Sequence, residues 1–316
     1  MNYFAHTKMP LIVAPMFLVS SPELVIAAAS AGLIAGLPAP NARTTEVLEA
    51  WMQQIHDALE PAKQPWLFNM FVHSTYDRFE RELALVEQFK PSIVSTALGS
   101  PARVIESVKA YGGHVLADVI SPTMAKKSIA AGVDGLILVT QGAGGHTGRY
   151  HPLAFLAEVR EFYSGPVGIA GCISKGSDIA AMLVAGADFV VAGTRFIPAE
   201  ESLAGQDYTN MMVSSGIEDI VESKAVSGVS ANWMLASLEK AGIDPTAGRT
   251  NQKVDLSDNQ GDKAWKNVWS AGQGVGSIKR QQSCAEIVAE LYGEFSDALA
   301  AAVAIKERFR PRADDQ

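Results

Sequence analysis

Eight short apolar runs, alternating with helical patterns as far as about Phe196, limit what this chain can fold into more than any other feature. The runs are Leu11–Met16, Leu33–Pro38, Trp66–Val72, Ile93–Leu98, Val115–Val119, Gly135–Thr140, Val167–Gly171 and Phe189–Gly193. Helical patterns lie between them near residues 22–31, 44–58, 76–89, 101–110, 122–131, 152–163 and 176–185, and a further helix is expected after 196. The runs show little polar alternation, as strands do when helices cover one face and a packed core fills the other. Eight βα units in succession predict an α/β fold, a TIM (β/α)8 barrel. A chain of 316 residues, 48% hydrophobic and 19% charged, can fill such a barrel.

A weak internal repeat supports the count. Ala31-Gly32-Leu33, Ala131-Gly132-Val133-Asp134 and Ala185-Gly186-Ala187-Asp188 each end a helix and lead into a strand. Glycine there supplies a left-handed cap, and Asp134 and Asp188 read as turn residues at the bottom of the barrel. The pattern breaks after about Ala204. Residues 1–204 are expected to form the barrel, 205–266 a small helical subdomain over its mouth, and 267–316 a return segment with a final helix on the barrel wall. Helical spacing at Trp233, Met234 and Leu238 suggests a roof over the cavity or, alternatively, the subdomain's own core. Asp255 to Lys263 reads as loop, and the end from Arg310 as a frayed tail.

Several function classes are disfavoured. A net charge of −8 without a local Lys/Arg cluster argues against nucleic acid. No apolar run reaches membrane-spanning length, and Pro10 and Pro15 interrupt the run Met9–Val19, which reads as the first strand and not a signal peptide. Two cysteines, Cys172 and Cys284, offer no disulfide framework, so a cytoplasmic setting is expected. His146 and His151 lack a third ligand at metal spacing, and no metal is expected.

Barrel chemistry gathers at the carboxyl ends of strands. The sixth run opens into Thr140-Gln141-Gly142-Ala143-Gly144-Gly145-His146-Thr147-Gly148, where four glycines permit close backbone approach and the histidine suits proton transfer near neutral pH. The plainer alternative is a flexible loop with a surface histidine. Strand one delivers Ala14-Pro15-Met16, strand three Asn69, and strand five Asp118. Strand seven delivers Ala170-Gly171-Cys172 and strand eight Gly193-Thr194, a pair of successive turns that favours a phosphate-bearing ligand. Asn69 could bind a heteroaromatic edge or make a structural bond; Met16 could pack on a flat ring or be plain core.

These residues, in order, resemble the nitronate monooxygenase family, formerly 2-nitropropane dioxygenases. Gly142-Ala143-Gly144-Gly145-His146-Thr147-Gly148 looks like the family's Ala-Gly-Gly-His-x-Gly signature. Ala14-Pro15-Met16, Asn69, Ala130 to Asp134, Ala192 to Phe196 and the segment Trp269 to Gly276 support it. The resemblance implies an FMN-dependent barrel in which His146 is catalytic. It implies cofactor contacts from Ala14, Pro15, Met16, Asn69, Asp118, Gly144, Gly145, Ala170, Gly171, Cys172, Gly193, Thr194, Gly272 and Gln273. Met16 and Asn69 would meet the ring, and Gly171, Gly193 and Thr194 the phosphate. Two departures stand out: Gly171-Cys172 replaces a Gly-Gly pair, and Asp118 replaces the lysine of some members, which can stabilise negative charge on reduced flavin.

The expected activity is oxidation of a nitronate or nitroalkane by O2 to a carbonyl compound and nitrite. One alternative keeps FMN but takes electrons from NAD(P)H, as a quinone or enoyl-ACP reductase does. Another is a barrel that binds a phosphorylated metabolite without redox chemistry. A homodimer is a further expectation.

Overall fold

All eight apolar runs form strands of one closed barrel. In the computed structural model, which describes residues 3–247 and 268–309, the barrel strands are β1 (Leu11–Val13), β2 (Ile34–Pro38), β3 (Leu67–Phe71), β4 (Ile93–Ala97), β5 (His114–Val119), β6 (Gly135–Val139), β8 (Val167–Ala170) and β9 (Phe189–Ala192). Each pairs in parallel with the next, and β9 returns to β1 with Leu11 opposite Val190. Side chains alternate across the wall. Ile12, Ile34, Leu67, Ile93, Leu116, Ile137 and Phe189 fill the barrel, whereas Val13, Phe68, Val94 and Val115 face the helices.

The covering helices are α1 (Pro22–Ser30), α2 (Thr45–Leu59), α3 (Phe79–Phe89), α4 (Ala102–Ala110), α5 (Pro122–Ala131), α6 (Pro152–Arg160) and α7 (Gly176–Val184). Ser21 and Ser121 cap α1 and α5, each followed by a proline that needs no N–H partner. The internal repeat has a physical cause. Asp134 accepts a hydrogen bond from the Val115 N–H at 2.8 Å, and Asp188 from the Val167 N–H at 2.7 Å. Each aspartate thus pins the start of the preceding barrel strand, at the end of the barrel opposite the expected site.

The helix expected after 196 is not a ring helix. A short 3-10 turn, Thr194–Phe196, is followed by Pro198, and the chain runs to α8 (Gln206–Ser214) at the mouth. The eighth ring position is filled instead by α10 (Cys284–Arg308), the expected final helix, which packs on α7 and α1. Buried Arg195 ties the two ends together, donating to Gln282 at 2.9 Å and Glu290 at 3.0 Å.

The mouth subdomain is not purely helical. Between α8 and α9 (Leu235–Lys240) lie β10 (Ile220–Ser223) and β11 (Ala231–Met234), antiparallel to each other. A two-residue strand, β7 (Gly145–His146), completes this sheet against β11. Neighbours Trp233 and Met234 therefore point to opposite faces, a period of two that helical spacing had obscured. Asp255 to Lys263 and the tail from Arg310 lie outside the described residues. Among the described residues, no helix is long and apolar enough to cross a membrane.

Candidate active site

At the carboxyl end of the barrel the packed interior stops. Ile12, Leu67 and Leu116 are fully buried, while the next inward positions Ala14, Asp118, Val139 and Ala170 are only half-buried. They form an open floor. Asn69 shares this level but spends its amide Nδ2 on Ser95 Oγ at 2.8 Å, leaving its Oδ1 toward other partners. Pro15 and Met16 line one side, in a loop held by buried Asn41. That side chain accepts from the Leu18 N–H at 2.8 Å and donates to the Met16 and Ser20 carbonyls.

The glycine loop closes the opposite side. Its geometry is dictated by β11: Asn232 lies opposite Gly145 and donates from Nδ2 to the Gln141 and Ala143 carbonyls at 2.8 and 2.7 Å. Thr147 donates back to the Thr140 carbonyl at 2.8 Å. His146 is thereby carried on a short strand with a fixed register, not on a free loop.

The turns after β8 and β9 and the Gly272–Gln273 segment converge on the same loop. A methyl group on Gly144 would lie 2.7 Å from the Gly272 nitrogen, and one on Gly272 only 2.6 Å from the Gly142 oxygen. Backbone meets backbone here because no side chain intervenes. The Gly272 N–H donates to Thr194 Oγ1 at 2.9 Å, and the Gln273 N–H to the Gly142 carbonyl at 3.1 Å. Gly171 and Cys172 both have positive φ, 121° and 59°. Positive φ at both residues turns the chain sharply out of β8 and leaves the N–H groups of this turn outside the strand ladder, where they can meet an anion. Ser174, Lys175 and Gly176 give their N–H groups to carboxylates, whereas Gly171, Cys172 and Ile173 make no such turn bond. With the first N–H groups of the 3-10 turn at Thr194, these donors fit a phosphate. The apolar floor and the turn N–H groups are together chemically suited to a phosphate-bearing ligand with an apolar body.

Electrostatics sharpen the site. His146 opens onto the mouth, yet the surrounding protein excludes enough water to lower its imidazole pKa, so it is neutral at pH 7. Burial pushes the Asp118 carboxyl up to about 7. It also raises the Cys172 thiol, which stands 3.8 Å from Gln273 Oε1 and is no reactive thiolate. His151 is a cap, accepting from the Leu153 N–H at the start of α6. Two clefts of 240 and 450 Å³ open at the other end of the barrel, among turn residues such as Lys63, Lys90 and Gly112, away from all of this.

The candidate site residues lie on strand ends and loops at this mouth, and the structure divides the roof residues between the two alternatives. Trp233 is fully buried with Val226, Ala231, Leu238 and Val268, and its indole N–H bonds the Ser223 carbonyl. Trp233 and Leu238 therefore belong to the subdomain's own core. Met234, on the opposite face of β11, packs with Val19, Tyr208 and Ala271 in a cluster that Met16 and Trp269 adjoin. Asn232 and Asn41 were not foreseen. Asn232 carries the same signal as Asn69, an amide inside an apolar strand, and is legible once Ala231–Met234 is read as a strand.

A closed parallel barrel with a glycine-lined anion cradle and a neutral histidine at its carboxyl mouth defines a class, the TIM-barrel enzymes that work at that face. The model of the nitronate monooxygenase family matches residues 1–294, and the chain belongs to that family. It is 28% identical to a nitronate monooxygenase of Paraburkholderia phytofirmans, over 92% of this chain and 93% of that protein. A nitronate monooxygenase of Pseudomonas aeruginosa is 27% identical over 91% of this chain and 96% of its own length. In structure the chain is similar to a nitroalkane oxidase from Streptomyces ansochromogenes, with a TM-score of 0.81 and 24% identity over 96% of this chain and all of that one. FabK from Thermotoga maritima shares the fold, with a TM-score of 0.80 and 20% identity over 96% of this chain and 98% of that one. The protein is thus an oxidoreductase of a flavoenzyme family.

Proposed function

We propose that this protein oxidises nitronates, and nitroalkanes after loss of their α-proton, to a carbonyl compound and nitrite with O2 as oxidant. The observation that carries this reading is the placement of His146, held in register by β7 against β11 at the rim of the glycine cradle. When bound, FMN supplies the redox chemistry, accepting electrons from the substrate and passing them to oxygen. The chain supplies position and proton handling. The N–H groups of Gly171, Cys172 and Thr194 would hold the phosphate, with Ala170 and Gly193 beside them. Ala14, Pro15, Met16 and Asn69 would hold the ring, and Gly144, Gly145, Gly272 and Gln273 would close over it. An imidazole nitrogen of His146 would take the α-proton of a neutral nitroalkane. Toward a nitronate already formed, the same ring would orient the anion. Residues 205–266 would then set substrate size above an FMN-holding barrel. A second copy of the chain is the expected macromolecular partner, in a cytoplasmic setting.

His146→Asn tests this directly. Nitrite release from a neutral nitroalkane should fall by about 100-fold or more, the usual contribution of a general base, while a preformed nitronate suffers less. In the parent, turnover of the nitroalkane should rise with pH through a midpoint below the ordinary histidine range, because only the deprotonated ring is a base. Equal activity of parent and variant on both substrate forms would remove His146 from the role. Rapid anaerobic bleaching of the flavin by NADH would instead favour the NAD(P)H-dependent reductase, and a colourless protein that takes up no FMN the non-redox barrel.

A further inference from the structure

Asp118 is a carboxyl at the floor of the mouth with no partner among the described residues. Leu116 points into the barrel, so Asp118, two residues on along β5, points the same way one level higher. Other acids of this chain that lie near the backbone are engaged: Asp134, Asp178 and Asp188 each accept backbone N–H groups, and Glu82 and Glu290 meet arginines. Asp118 takes part in no such bond, although water reaches it only through the mouth. A carboxyl left unpaired at a half-buried position costs free energy unless a ligand or a proton satisfies it.

Its surroundings offer no counter-charge. On β4 the position level with it is Ala97, with inward Ser95 one level below; from β6 it faces Ile137 and Val139, and across the floor Asn69 and Ala170, none of them ionisable. His146 and Cys172 are titratable groups at the rim, and burial alone moves Asp118, with no contribution from either charge. The cradle that fits a phosphate lies on the β8 and β9 side, and Asp118 stands on the same floor, on β5, with β6 between β5 and β8.

We propose that the Asp118 carboxyl is a proton-gated contact to the bound flavin ring. As a neutral acid it donates a hydrogen bond and supports negative charge placed on the ring; as a carboxylate it opposes that charge. This rests on the FMN reading above and goes beyond it, because it makes the ring's readiness to accept electrons depend on one side chain's proton. It also revises what the replacement of a lysine implies: an aspartate can support reduced flavin so long as it is protonated.

Sulfite offers a measurement independent of turnover. Its lone pair forms a bond to the oxidised ring and leaves one additional negative charge there, read as bleaching of the visible flavin band. FMN-loaded parent, Asp118→Asn and Asp118→Ser would be titrated with sulfite at about pH 5.5 and about pH 8.5, on either side of the carboxyl's titration. At the lower pH, parent and Asp118→Asn should agree within about two-fold, since both present a neutral donor. At the higher pH the parent should bind sulfite at least about ten-fold more weakly than either variant, because only it carries a charge. A ratio between parent and variants that does not change with pH overturns the proposal and leaves Asp118 a structural residue. Should the parent take up no FMN at all, the flavin reading fails first, so the two failures are told apart. Asp118→Ser keeps the comparison available if Asp118→Asn does not fold.

Discussion

Cys172 shows how one residue can be tolerated where glycine is the natural choice. Its φ of 59° is left-handed, and its Sγ occupies the space beside Gly142, where an added methyl would lie 1.9 Å away. The turn keeps its shape because Gly142 has no side chain to collide with. Left-handed backbone costs an ordinary residue about 1–2 kcal/mol, part of which glycine gives back through the entropy of the unfolded chain. Cys172→Gly should therefore raise stability by up to about 1 kcal/mol in denaturant titrations and retain FMN. A loss of that size instead would show that the thiol's contacts with Gly142 and Gln273 outweigh the strain. From sequence, the Gly171-Cys172 pair could be seen as a departure from Gly-Gly, but not as one with a compensating glycine thirty residues earlier in the chain.

Among the elements, β11 joins three tasks on its two faces. Trp233 anchors the subdomain core, Met234 meets the barrel side, and Asn232 holds the glycine loop. Trp233→Ala should cost about 3–5 kcal/mol, the usual range for a large aromatic removed from a packed core. Thermal unfolding of the variant should fall accordingly while its preference between small and bulky nitronates stays as in the parent. A changed preference with intact stability would return Trp233 to the roof. The barrel strands were legible because continuous apolar runs bounded by glycine and helix caps have few other uses. The strands β10 and β11 were not. They are four residues long, sit between two real helices, and mix polar residues such as Glu222 and Asn232 into a pattern too short to show its period.

Over the whole molecule, pH acts on the fold through buried carboxyls. Glu82 is fully buried on α3, accepts from the Tyr76 hydroxyl at 2.7 Å and lies 3.1 Å from Arg78 Nε. Burial outweighs both partners and pushes its carboxyl up to about 7. A raised carboxylate pKa means the folded state holds a proton that the unfolded state releases. The stability tied to it is therefore fully present below the unfolded value near 4.5 and is lost as pH rises to about 7. Glu82→Gln removes the titration. The midpoint temperature of the variant minus that of the parent should grow steadily from about pH 5 to about pH 8, by the equivalent of about 1–3 kcal/mol. A flat difference would mean that the pair with Arg78 keeps Glu82 ionised throughout. The same scale separates what the two kinds of information decide. By itself the sequence determined the eight strands, seven of the covering helices, the end of the barrel where function gathers, and the glycine loop with His146, because each depends on local pattern and on the chirality of βα units. Only the tertiary structure decided that α10 closes the ring, that a strand from residues 231–234 sets the register of His146, and that Asp118 faces the mouth without a partner among the described residues. Those facts arise from contacts between segments from about 80 to more than 250 residues apart, whose energies come from geometry that no local window contains.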